Sequence, residues 1–147
     1  MENETNDREK MDAVLGSSLM KVPSLPLWSM YLDHVRRYNN LTTDPDGTAR
    51  KIIIQAYELA LAQVGLDKDS GQMWQDFIQF IKSGPGIIGG STWQDRQKMD
   101  QLRKLYQEAI CVPTQATTLL WKEYDSFEMG LNKMTVRPPR SLVLVHC

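Results

Sequence analysis

The sequence predicts an all-α chain, an α-solenoid built from about two and a half helical hairpins. Three observations predict it. Trp28, Trp74 and Trp121 recur at intervals of 46 and 47 residues, a spacing typical of repeats that each contain a pair of helices. Each tryptophan opens the same local pattern, apolar-Trp-x-x-aromatic, as LWSMY from Leu27, MWQDF from Met73 and LWKEY from Leu120. Between them lie two segments that align with each other, Tyr57-Glu58-x-Ala60-Leu61 over Tyr106-Gln107-Glu108-Ala109-Ile110.

Residues 1–22 form a polar N-terminal segment whose weak apolar cluster, Met11, Val14, Leu15 and Leu19, fits either a short helix or a frayed tail. The repeat array is expected over residues 23–135. Its first helix places Trp28, Tyr31, Leu32 and Val35 at i, i+3, i+4 and i+7, with Ser24 as a candidate cap and Pro26 setting the first turn. The second, from Ala49 to Gly65, puts Ile53, Ala56, Tyr57, Ala60 and Val64 on one face, and Gly65 supplies a stop. The third repeats the first pattern with Trp74, Phe77, Ile78 and Ile81 behind Asp69 and Ser70. A glycine-rich stretch, SGPGIIGGS from Ser83 to Ser91, reads as a flexible connector. The fourth helix, from Lys98, aligns Leu102, Leu105, Tyr106 and Ala109 and ends at Pro113. The fifth carries Trp121, Tyr124 and Phe127 behind Thr114. The tail, residues 136–147, has a Pro-Pro break and an apolar run that do not continue the pattern, and it is expected to be disordered.

The physical reason for the repetition is size complementarity. Bulky rings need small residues such as Ala60 and Ala109 opposite them, so that helices approach and rings fill the gaps between hairpins. The expected repeat core is therefore Trp28, Tyr31, Tyr57, Ala60, Trp74, Phe77, Tyr106, Ala109, Trp121, Tyr124 and Phe127. With no partner helix to close its groove, the last Trp helix is expected to leave Trp121, Tyr124 and Phe127 partly uncovered.

Composition narrows the function classes. Seventeen Lys and Arg against eighteen Asp and Glu give a net charge of −1 over 147 residues, without the basic excess of a dedicated nucleic-acid binder. Any RNA association is expected to be indirect. The longest apolar run, Leu142–Val145, is far too short to span a bilayer, and no membrane role is expected. Two cysteines without a CxxC pair, and two scattered histidines, His34 and His146, offer no metal set. Both cysteines are expected to be reduced, with Cys111 a small buried hydrophobe and His34 a satisfied helix histidine.

Three features carry possible chemistry. Gly84, Gly86 and Gly89 satisfy GxGxxG, the turn that brings a pyrophosphate to a helix N-terminus, but the preceding FIQFIKS is helix-periodic where that fold needs a strand. A small nucleotide-binding enzyme using residues 84–89 is thus a remote alternative, and Gly86→Ala with Gly89→Ala is expected to be silent in a scaffold. Glu123, Asp125 and Glu128 lie on one helix without converging, which argues against an acid–base pair. Glu128 instead fits a buried hydrogen bond between helices. The basic pairs Arg36-Arg37, Arg50-Lys51 and Arg103-Lys104 read as solvated helix faces. No catalytic residue and no cofactor is expected.

The W-x-x-[YF] helices alternating with Y-x-x-A helices resemble HAT (half-a-TPR) repeats of RNA-processing scaffolds. More specifically, residues 22–135 resemble the N-terminal HAT region of the fungal mRNA 3′-end-processing scaffold, counterpart of the large HAT subunit of cleavage stimulation factor. The resemblance implies a non-enzymatic, nuclear scaffold with passage to the cytoplasm. Its implied partners are other subunits of the cleavage and polyadenylation machinery. It also implies homodimerisation through later repeats that this sequence does not contain. Another HAT or TPR scaffold, for instance of splicing, is the alternative within the same class.

Overall fold

The computed structural model describes residues 24–132, together with positions 9, 10, 13 and 21. The expectations for residues 1–22 as a segment and for 136–147 lie outside the described residues. Among these residues the chain is all-α, with five helices and no strand: α1 (Leu25–Tyr38), α2 (Thr48–Val64), α3 (Gly71–Lys82), α4 (Trp93–Ile110) and α5 (Thr117–Asn132). They form two compact units that divide after Gly65. The first holds the hairpin α1–α2; the second holds α3, α4 and α5, with α4 packed against both of its neighbours.

In the first unit, α1 buries Trp28, Leu32, His34 and Val35, and α2 buries Ile53, Ala56, Tyr57, Ala60 and Val64. Tyr31 is half-buried and meets the Trp28 ring edge-on at 5.6 Å between centroids. Among the described residues the Trp28 indole N–H has no acceptor, although the ring is only 1% exposed. Arg36 and Arg37 occupy the last turn of α1, where cations favour the carbonyl end of the helix. Arg36 Nη1 also donates to Tyr57 Oη at 3.2 Å, tying the two helices together.

The helix starts are not all where local residues suggest. Ser24 makes no side-chain cap bond to α1. The cap of α2 comes from Asp44, whose two carboxylate oxygens accept from Ala49 N and Arg50 N at 3.1 Å each, across a turn in which Gly47 has φ +71°. Helix α4 begins at Trp93 and not at Lys98. Thr92 and Asp95 form a reciprocal capping box that adds a polar first turn, which apolar periodicity cannot reveal.

In the second unit, α3 presents Met73, Trp74, Phe77, Ile78, Phe80 and Ile81 to the core. Helix α4 adds Leu102, Leu105, Tyr106, Ala109 and Ile110, and α5 adds Leu120, Tyr124, Phe127 and Leu131. Tyr124 and Phe127 are buried at 2% and 9% exposure, against the expectation of an uncovered end, and Trp121 is half-buried. The reason is Tyr106, whose ring lies 5.7 Å from that of Tyr124 and 5.6 Å from that of Phe127. The two successive Trp helices approach each other at their first turns. A methyl group added at Gly71 would sit 2.8 Å from Ala116 Cβ and 3.0 Å from Thr114 Oγ1.

That contact makes Gly71 a test of repeat stacking inside the second unit. Gly71→Ala is expected to lower stability by about 1–3 kcal/mol through overpacking, although alanine is the better helix former. Urea unfolding followed by circular dichroism measures it, and an unchanged or raised midpoint contradicts the packing described.

Candidate functional site

The polar groups of the second unit gather in two places, the α3–α4 loop and the seam between α4 and α5. The loop is built around two ionised side chains from the first turns of α4. Lys98, 8% exposed, donates from Nζ to the carbonyls of Lys82, Gly84 and Gly86 at 2.6, 2.9 and 3.1 Å, which occupies all three of its protons. Its charge therefore lies at the carbonyl end of α3. Asp95 Oδ1 accepts from Ile87 N at 2.7 Å and Oδ2 from Thr92 N at 3.1 Å, while Asp95 N donates to Thr92 Oγ1 at 3.2 Å. The Ile87 N–H bond, with the Thr92 bonds and nearby Lys98 behind it, holds the Asp95 carboxyl below the usual carboxylate range.

This geometry accounts for the glycines differently from a nucleotide loop. Gly86 and Gly89 adopt φ of +104° and +87°, and Gly90 lies where a methyl group would strike the Asp95 carboxylate at 2.1 Å. Gly89 N donates to Met99 Sδ at 3.3 Å. A phosphate cradle needs converging N–H groups; here the carbonyls converge, on a lysine, and the Ile87 N–H is already held by a carboxylate. The segment before the glycines is helix α3. The connector expected to be flexible is a braced loop, and alanine at Gly86 or Gly89 strains its backbone.

At the seam, Arg103 Nε lies 2.6 Å from Glu128 Oε1 and Nη2 lies 3.3 Å from Oε2, a two-pronged pair in which Glu128 is 8% exposed. Hydrogen bonding to Glu128 is the main cause that raises the Arg103 pKa. Tyr106 Oη donates to Glu123 at 3.4 Å, and Gln107 Nε2 donates to Tyr124 Oη at 3.1 Å. Burial, with the charge of Glu123 second, pushes the Tyr106 hydroxyl well above the usual tyrosine range. Glu123 and Glu128 thus each serve a different partner on α4 and do not converge as an acid–base pair.

The residues expected in the repeat core are distributed over both units. Trp28, Tyr57, Ala60, Trp74, Phe77, Tyr106, Ala109, Tyr124 and Phe127 are buried, while Tyr31 and Trp121 are half-buried. His34 is buried, with its ring 4.7 Å from that of Tyr38. The expectation for Cys111 is corrected, since it is exposed at the end of α4 and is not a free thiol; of the basic pairs, Arg36, Arg37, Lys51 and Lys104 are exposed as expected, while Arg103 is half-buried against Glu128 of α5. The residues that sequence reasoning missed are Lys98, Asp95 and Asp44. Only the Thr92-x-x-Asp95 spacing carried a readable signal.

Among the described residues no group of His, Cys, Asp and Glu is placed to hold a metal ion, and no helix is long and apolar enough to cross a membrane. An open groove of about 550 Å³ runs between the loop and α5, lined by Lys82, Ile88, Lys122, Glu123, Phe127 and Leu131 among others.

The family model for the Suppressor of forked protein (Suf) matches residues 1–139. The mRNA 3′-end-processing protein rna14 of Aspergillus fumigatus is 62% identical over 137 residues, covering 93% of this chain and 13% of the relative. Its namesake rna-14 in Neurospora crassa is 54% identical over 137 residues, 93% of this chain and 12% of that protein. The rna14 of Schizosaccharomyces pombe is 39% identical over 132 residues, 90% of this chain and 17% of that protein. The chain therefore spans about an eighth of the length of the first of these relatives.

Two measurements check the loop. Because the Asp95 pKa is depressed in the folded chain, its contribution is present above the ordinary aspartate range, near pH 4, and is lost as pH falls through the folded value. Protection of the Ile87 and Thr92 amides, taken relative to their intrinsic exchange rate at each pH, is expected to fall on acidification below that range, and Asp95→Asn to show reduced protection already at neutral pH; equal protection in both proteins contradicts the brace. Lys98→Met leaves three carbonyls without their donor and is expected to cost about 1–3 kcal/mol in urea unfolding, so a variant as stable as the parent contradicts the assigned role.

Proposed function

Because this chain belongs to the Suppressor of forked (Suf) family, we propose that it acts in mRNA 3′-end processing as a non-enzymatic, protein-binding helical-repeat scaffold. The observation that carries the reading is the identity of 39–62% to proteins named for mRNA 3′-end processing, sustained over 90% or more of the chain. The disposition of polar groups supports it. Lys98, Asp95, Arg103, Glu123 and Glu128 are each engaged in holding helices or the loop together, which is a stabilising use and not a reactive one.

In this reading the partners are other subunits of the cleavage and polyadenylation machinery, and the work is done in the nucleus. RNA is reached through those subunits, in keeping with a net charge of −1. The dimerisation that the resemblance assigns to later repeats is not proposed for this chain.

The test is affinity capture of the tagged chain from fungal nuclear extract with mass spectrometry of the recovered proteins. Enrichment of cleavage and polyadenylation subunits, insensitive to ribonuclease, is the expected result. Recovery of splicing factors alone, or a recovery abolished by ribonuclease, contradicts the reading.

A further inference from the structure

The α3–α4 loop is held rigidly from within and yet presents its largest apolar side chains outward. Ile87 is 71% exposed and Ile88 44%, and Trp93, the first residue of α4, is 77% exposed. A connection that only joins two helices needs neither feature. This one spans residues 83–92, beyond the roughly 2–8 residues usual between packed helices, and its backbone is fixed by the buried Lys98 and Asp95. Apolar residues displayed on a preordered backbone bind at little entropic cost, because the ordering is complete before a partner arrives.

The charge around these residues has one sign. Between positions 82 and 98 the charged side chains are Lys82, Asp95, Arg96 and Lys98; Asp95 and Lys98 are buried within the brace, which leaves Arg96 exposed and Lys82 half-buried, its ammonium 5.4 Å from the centre of the Tyr106 ring. Lys122 adds a third cation across the groove. None of these three is in an ion pair among the described residues. Glu123 is the one acid lining the groove, and it accepts the Tyr106 hydroxyl. The groove floor is apolar, with Ile88, Phe127 and Leu131.

We propose that the loop and the adjoining groove form a preformed docking platform for an acidic protein segment with apolar anchor residues, supplied by another polypeptide. The proposal deepens the scaffold reading and rests on it. Ile87 on the loop and Trp93 at the start of α4 meet the anchors, the groove takes one or more further apolar side chains, and Lys82, Arg96 and Lys122 pair with the partner's carboxylates. Trp93 is a single ring and its neighbours Ile87 and Ile88 are aliphatic, so successive bases find no run of stacking rings, and three cations are few for a phosphate backbone. A protein segment fits better than RNA.

The test replaces Trp93 with the photo-crosslinking residue p-benzoylphenylalanine in the whole 147-residue chain, irradiated in fungal nuclear extract. Trp93 is exposed, so the fold tolerates the change, and circular dichroism checks this. The expected adduct lies on another polypeptide, within a segment of net negative charge that contains a large apolar residue. Its yield is expected to fall about fivefold when Arg96→Glu and Lys122→Glu are added, as for the loss of about 1 kcal/mol from two surface pairs. An adduct on RNA, on a second copy of the chain, within the chain itself or on a neutral or basic segment overturns the platform, as does no adduct. If the capture experiment still recovers processing factors while no adduct forms, the platform alone fails; if neither appears, the scaffold reading fails with it.

Discussion

The second unit depends on the burial of Tyr106. Its ring, with no exposed surface, lies between the rings of Tyr124 and Phe127 on one side, and the Lys82 ammonium from the end of α3 stands 5.4 Å from its centre. One side chain of α4 thereby touches both neighbouring helices. Ring pairs at these separations contribute about 0.5–1.5 kcal/mol beyond the area they bury. The hydroxyl at the edge of the same ring reaches Glu123, so the buried polar atom has its partner. Ala109, one turn further along α4 and fully buried, leaves the space that such rings require. The period seen in the sequence is the linear record of this arrangement: a ring on one helix, a small residue on the next, and a ring again.

Around that core the ionised groups are arranged to fix geometry. A lysine closes the carbonyl end of α3, an aspartate gathers the N–H groups of the loop, and an arginine–glutamate pair joins α4 to α5. Each lies at the margin of the apolar core, where a charge keeps its partners and the cost of desolvation is moderate. Among the described residues of this unit, the surface includes exposed Ile87 on the braced loop, exposed Trp93 at the start of α4, and a groove between the loop and α5.

The parts legible in the sequence were those with a period. The Trp-x-x-aromatic helices and the Tyr-x-x-Ala helices followed from spacing alone, because a helix face repeats every three to four residues and a buried ring cannot be polar. Glu128 was legible because a lone acid one residue beyond Phe127 needs a partner if the face is packed. What escaped was set by contacts distant in sequence. Lys98 reaches back to Lys82, and Asp44 caps a helix from five residues away. The glycine run looked mobile because glycine is permissive, whereas here its positive φ values make room for the Asp95 and Lys98 bonds. The uncovered end expected for α5 holds for Trp121, which is half-buried, but not for Tyr124 and Phe127, which Tyr106 covers from the preceding helix. The exposed Trp93 falls outside the repeat register, and no spacing marks it.

Stepwise removal of Tyr106, followed by urea unfolding of the whole chain, tests the central claim most directly. If the ring itself holds α4 to α5, Tyr106→Phe costs no more than the about 0.5–1.5 kcal/mol of one hydrogen bond, while Tyr106→Ala costs about 3–5 kcal/mol or abolishes the cooperative transition. A small and equal effect of the two variants would contradict the account.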